Sequence, residues 1–161
     1  MIVWALRASI CAAALVLAGT YALRPAWAGM ALSLSLGMVS LTGQAAGWRW
    51  ITGFALGGFV LLAAAGVVLN LSPFAMLLGT TLALVAWDLD RFAARLSDIG
   101  QVANEQALAR AHLYRLSLVA MSAMLLGAFA LNVRVSLSFG WALFLSFTIL
   151  FVLSRLLRPA K

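Results

Sequence analysis

Carboxylates are nearly absent from this chain. It has four, Asp88, Asp90, Asp98 and Glu105, all within one 18-residue window. The apolar stretches therefore carry no acidic side chain, which argues against proton-coupled transport through an intramembrane carboxylate relay. Cysteine is as scarce. Cys11 stands alone, which excludes an intramolecular disulfide, a paired-cysteine zinc site and a thiol relay; it reads as a small packing residue. His112 is the sole histidine, so one chain holds no multi-histidine metal site and no bis-histidine haem. Nucleotide loops, nucleophile elbows, zinc-protease motifs, haem attachment and kinase signatures are missing. So is the spaced-aspartate pattern of the CDP-alcohol phosphotransferases. No cofactor is expected.

What remains is apolar sequence punctuated by arginine. Hydrophobic residues are 65% and charged residues 9% of 161, against roughly 45–50% and about 25% in a soluble domain. Such a chain has too little polar surface to cover a soluble globule, so lipid is its expected solvent. The length fits one transmembrane domain, 1–161, with about six spans of roughly 20 residues. The net charge of +7 comes mostly from single arginines at the ends of apolar runs. That placement points to lipid phosphate, including anionic head groups, rather than to nucleic acid.

Charges, prolines and glycines divide the chain into spans at about 7–23, 26–46, 51–69, 73–87, 116–133 and 135–154. The first span has the outline of a secretory signal, with Ala26-Trp27-Ala28 as a small-x-small cleavage form. The apolar run after Trp27 favours an uncleaved span. Pro25 disfavours helix at Arg24. Asn70-Leu71-Ser72-Pro73 reads as a tight turn, with Ser72 as N-cap and Pro73 at the first helical position. Trp4, Trp48, Trp50, Trp87 and Tyr114 at one boundary, and Tyr21 and Trp27 at the other, read as interfacial anchors.

Six spans place Arg7, Arg49, Arg91, Arg95, Arg110, Arg115, Arg155, Arg158 and Lys161 on one side, and Arg24 and Arg134 on the other. By the positive-inside rule the first side is cytoplasmic and holds both termini, which implies an inner membrane. Three spans in each half also permit an inverted repeat, although the halves share no residue-level similarity.

Residues 88–115 carry the one readable pattern. Leu89, Phe92, Leu96 and Ile99 form an apolar stripe, and Asp88, Arg91, Arg95 and Asp98 a charged one. Gly100 is a natural C′ residue. The expectation is a cytoplasmic amphipathic helical hairpin between spans four and five. Its charged surface comprises Asp88, Asp90, Arg91, Arg95, Asp98, Glu105, Arg110, His112 and Arg115. Folded at Gly100, it brings Asp88 or Asp90 within reach of Arg110, His112 or Arg115. A divalent metal held by Asp88 and Asp90 is disfavoured, because residues two apart on a helix point about 200° apart.

Within the spans, serine and threonine can return their hydroxyls to the backbone, whereas Gln44 is expected to bond across a helix interface. Gly53, Gly57 and Gly58 read as a helix-packing seam of small residues. The fold class is thus an all-α, six-span membrane bundle with a cytoplasmic hairpin. The leading expectation for function is non-catalytic: a self-associating or accessory subunit, a homo-oligomer or part of a larger membrane complex, docking through the hairpin. The alternatives are a passive channel or carrier for a small neutral solute, and a membrane enzyme acting on lipid head groups through Asp88, Asp90 and His112.

Overall fold

A computed structural model describes residues 2–24, 26–48, 50–99 and 105–132. The described residues form five helices: α1 Ile2–Ala22, α2 Trp27–Ala45, α3 Ile51–Val68, α4 Pro73–Ile99 and α5 Glu105–Asn132. The fold is all-α. Four of these helices, α1, α3, α4 and α5, are long and apolar enough to cross a membrane. Helix α2 has 19 residues without a charge, but five polar side chains and three glycines dilute its apolarity. The expected sixth span at 135–154 and the Gly100 bend lie outside the described residues. The amphipathic stripe of 88–99 continues out of span four as a helix, as its spacing predicts: α4 runs unbroken to Ile99, and α5 starts at Glu105.

Helices α1 to α4 close into an up-and-down bundle. Tyr21 meets Gly29 and Ala14 meets Gly37, so α1 and α2 are antiparallel. Ile51 lies against Gly43, and Met76 against Gly66, which continues the alternation through α3 and α4. Leu17 against Gly79 brings α4 back to α1. Helix α5 lies along α4 in the opposite sense, with Gly127 near Leu77, Met124 near Thr81 and His112 near Asp88.

Ala13, Leu17, Tyr21, Phe59, Met76 and Ala83 fill the centre of the bundle. A second cluster of Leu6, Ile10, Ala86 and Leu89 reaches Leu113 and Leu116 of α5. Outward, large apolar side chains such as Phe54, Leu61, Leu125 and Phe129 stand exposed. That inversion fits a lipid surround, where exposing leucine is not penalised.

Tyr21 corrects the sequence reading. It is only 2% exposed and lies in the core rather than at an interface. Its hydroxyl donates to the Leu62 carbonyl at 2.6 Å, across the bundle from α1 to α3. The phenol reaches so deep because Gly29 offers no side chain where the ring sits.

Two turns explain the chain reversals. Gly47 has φ +73°, with Trp48 N–H on the Gly43 carbonyl and Gly47 N–H on Gln44. Asn70 has φ +56°, with Leu71 N–H on Gly66 and Asn70 N–H on Val67. Both are Schellman motifs, which satisfy the last carbonyls of α2 and α3. Glycine and asparagine tolerate the left-handed backbone there. The N-cap reading holds at the start of α4: Ser72 Oγ accepts from Ala75 N–H at 3.5 Å, and Pro73 is the first helical residue.

Candidate functional site

The polar side chains within the helices are mostly consumed locally. Ser33, Ser40, Thr80, Thr81 and Ser122 return their hydroxyls to carbonyls four residues earlier at 2.7–2.8 Å. These are groups that motivate a polar-lined passage. An apolar cavity of about 380 Å³ between α3, α4 and α5 is lined by Val60, Ala63, Met76 and Leu77. Of the residues around it, Thr80 carries the hydroxyl, and that hydroxyl is turned to Met76.

Polar chemistry gathers instead at the end of the bundle where α2 gives way to α3 and α4 becomes charged. A cleft of about 610 Å³ opens there. Helical spacing places Trp87, Asp90, Arg91 and Ala94 on one face of α4, and all four line it. The α2–α3 turn contributes Trp48 and Trp50, stacked at 6.2 Å and 14°. Phe54 abuts Trp50 edge-on.

The acidic residues are individually engaged. The Thr52 hydroxyl, on buried α3 backbone, donates to Asp90 Oδ2 at 2.7 Å. Asp88, on another side of α4, pairs with His112 Nε2 at 2.8 Å. The His112 ring stacks on Phe92 at 3.9 Å and 2°. Of the three candidate partners for Asp88, the structure thus brings up His112. Asp88 and Asp90 face different helices, α5 and α3, so one cleft does not hold both. The convergence that a head-group enzyme needs is therefore not formed by this pair.

The basic residues have fewer attachments. Arg91 Cζ lies 4.4 Å from the centroid of the Trp87 ring, a cation–π contact of about 0.5–1 kcal/mol when exposed. The i, i+3 pairing of Asp88 with Arg91 is not formed. Arg95 lines the cleft without a hydrogen bond or ion pair among the described residues. Arg110 and Arg115 are exposed on α5. The side chains of Asp98 and Glu105 lie outside those described.

Gln44 departs from expectation. It lines the cleft, but its Nε2 is shielded from solvent and has no hydrogen-bond partner among the described residues. Among the described residues, its Nε2 does not make the expected bond across a helix interface. The glycine seam also divides. Gly58 packs on Leu36 of α2, while Gly57 faces open space and Gly53 only approaches Trp87 Nε1 at 3.8 Å. The sequence presents Trp48, Trp50 and Trp87 as separate anchors and does not by itself join them to Asp90. The signal that could have joined them is the i, i+3, i+4 rhythm of Trp87, Asp90 and Arg91.

Replacing Thr52 with valine tests the Asp90 contact. The bond is charge-assisted, yet Asp90 is only partly buried and water can replace the hydroxyl. The expected loss is about 1 kcal/mol, read as a lower thermal midpoint in detergent. Serine at 52 should restore it, and equal midpoints for valine and threonine would show the contact idle.

No protein-family profile, curated protein or solved structure matches this chain.

Proposed function

We propose that the chain is a six-span, non-catalytic membrane protein with both termini in the cytoplasm, and that the 88–115 hairpin docks it to an acidic surface of a larger membrane complex. The observation that carries this reading is the way charge is partitioned on α4 and α5. Asp88 is tied to His112 and Asp90 to Thr52, whereas Arg91, Arg95, Arg110 and Arg115 remain exposed. Asp88 and Asp90 hold the helices in register; the guanidiniums of Arg110 and Arg115 are left to face outward. Exposed arginine presents a fixed fork of donors suited to carboxylates and phosphates. Opposite charges at such a rim favour association rate and partner choice more than raw affinity.

The experiment is charge reversal at Arg110 and Arg115, combined with crosslinking in native membranes. The expected result is loss of the crosslinked partner while the protein still inserts. A wild-type chain that crosslinks to nothing and purifies as a monomer would overturn the reading. Reporter fusions at residue 100 test the orientation, and a signal outside the cytoplasm would reverse it.

A further inference from the structure

Among the described residues lining the cleft at the α2–α3 turn, side-chain donors outnumber side-chain acceptors. Among the described residues, Gln44 Nε2 and Arg95 have no partner, and Arg91 is engaged only by the Trp87 ring. One oxygen of the Asp90 carboxylate, by contrast, already accepts from Thr52. A buried donor without a partner is unfavourable by about 1–3 kcal/mol. Such a site calls for a ligand rich in acceptors.

Charge narrows the class. Among the described lining residues, Arg91 and Arg95 contribute two positive charges and Asp90 one negative, a net +1 for those side chains. A monoanionic phosphodiester balances it. Depth narrows it further. Helix α4 passes from apolar residues to Asp88 and Asp90 at this level, and three tryptophans surround the opening. Indoles concentrate where membrane hydrocarbon meets head groups. The volume of about 610 Å³ falls within the usual range for small-ligand sites.

We propose that this cleft binds the phosphate-bearing head group of a single phospholipid. Arg91 and Arg95 hold the phosphate, Gln44 donates to a head-group oxygen, and the stacked Trp48–Trp50 pair covers the glycerol and the first acyl carbons. The stack of Arg91 on Trp87 fixes one guanidinium in advance, so less freedom is lost on binding. The site shares Arg91 and Arg95 with the proposed docking surface, but it is assayed on the purified chain alone, with no partner present.

The test is native mass spectrometry of the full chain in mild detergent, titrated with dioleoyl phosphatidylglycerol or with dioleoylglycerol, which lacks the phosphate. The phospholipid should be retained and the diacylglycerol lost. Arg95→Gln should weaken phospholipid binding about tenfold, the worth of a charge-assisted contact. Arg95→Lys should retain most of it, and Arg24→Gln, at an exposed position at the opposite end of the bundle, should leave it unchanged. Arg95 is the informative position, since it has no structural partner to lose among the described residues. Displacement by millimolar inorganic phosphate would support the phosphate site with a water-borne ligand; resistance to displacement would support the lipid. Equal binding of diacylglycerol, or equal losses from Arg95→Gln and Arg24→Gln, would overturn the proposal.

Discussion

Valine at position 29 should unfold the bundle at a markedly lower temperature than the parent chain. A Cβ there collides with the Tyr21 ring at three of its carbons. The ring has nowhere to go, being 2% exposed within the core cluster that holds Leu17, Phe59 and Met76. Either the helices separate or the phenol leaves the core and gives up the Leu62 carbonyl. Overpacking alone is worth about 1–3 kcal/mol, and expelling Tyr21 adds a cavity. A void of roughly 100 Å³ at ~24 cal/mol per Å³ contributes about 2.4 kcal/mol. The phenol to phenylalanine change isolates the hydroxyl. Hydrogen bonds between helices in membranes average about 0.6 kcal/mol, so Tyr21→Phe should be mild and Tyr21→Ala severe. Thermal midpoints in detergent decide the order. A mild Gly29→Val would mean that the close approach of α1 and α2 does not exist.

The second large effect is expected at Gly37, even for alanine. The nearest atom is Ala14 Cβ, 2.7 Å from the site of the new methyl. An alanine methyl has no rotamer by which to withdraw, so the backbones must part. At Gly66 the neighbours are Met76 Cε and Sδ, both at 2.6 Å. Methionine is flexible at that end and can swing aside. Gly37→Ala should therefore lower stability by about 1–3 kcal/mol, Gly66→Ala by clearly less, and Gly57→Ala, with nothing within 4 Å, by almost nothing. Comparable midpoints for the alanine variants at 37 and 57 would contradict the packing described.

The contrast among these glycines shows what a linear sequence can convey. Apolar length, proline and the Asn70–Pro73 turn signals are local, and they suffice to mark α1, α3, the start of α4 and most of α5. The match of Asp88 to His112 follows from folding two helices back at a fixed point. Which glycine on α3 meets another helix is not local. Gly53, Gly57 and Gly58 look alike in sequence, and only the rotation of α3 about its axis puts Gly58 against Leu36. Tyr21 misleads for a similar reason. At the end of an apolar run it resembles an interfacial aromatic, and the gap that admits it to the core belongs to a different helix. The cleft is hidden in the sequence because its parts come from two distant stretches, joined through Thr52 and Asp90, 38 residues apart.

Helix α4 is one uninterrupted rod of 27 residues, about 40 Å at 1.5 Å per residue, with proline only at its first position. Its first third is wedged against Leu17 through Gly79, and its far end carries Asp90, Arg91 and Arg95. A shaft of this stiffness has no joint between the two. Leverage applied to the charged tip is delivered to the seam between α4 and α1, so whatever grips one end changes the tilt that α1 must accommodate.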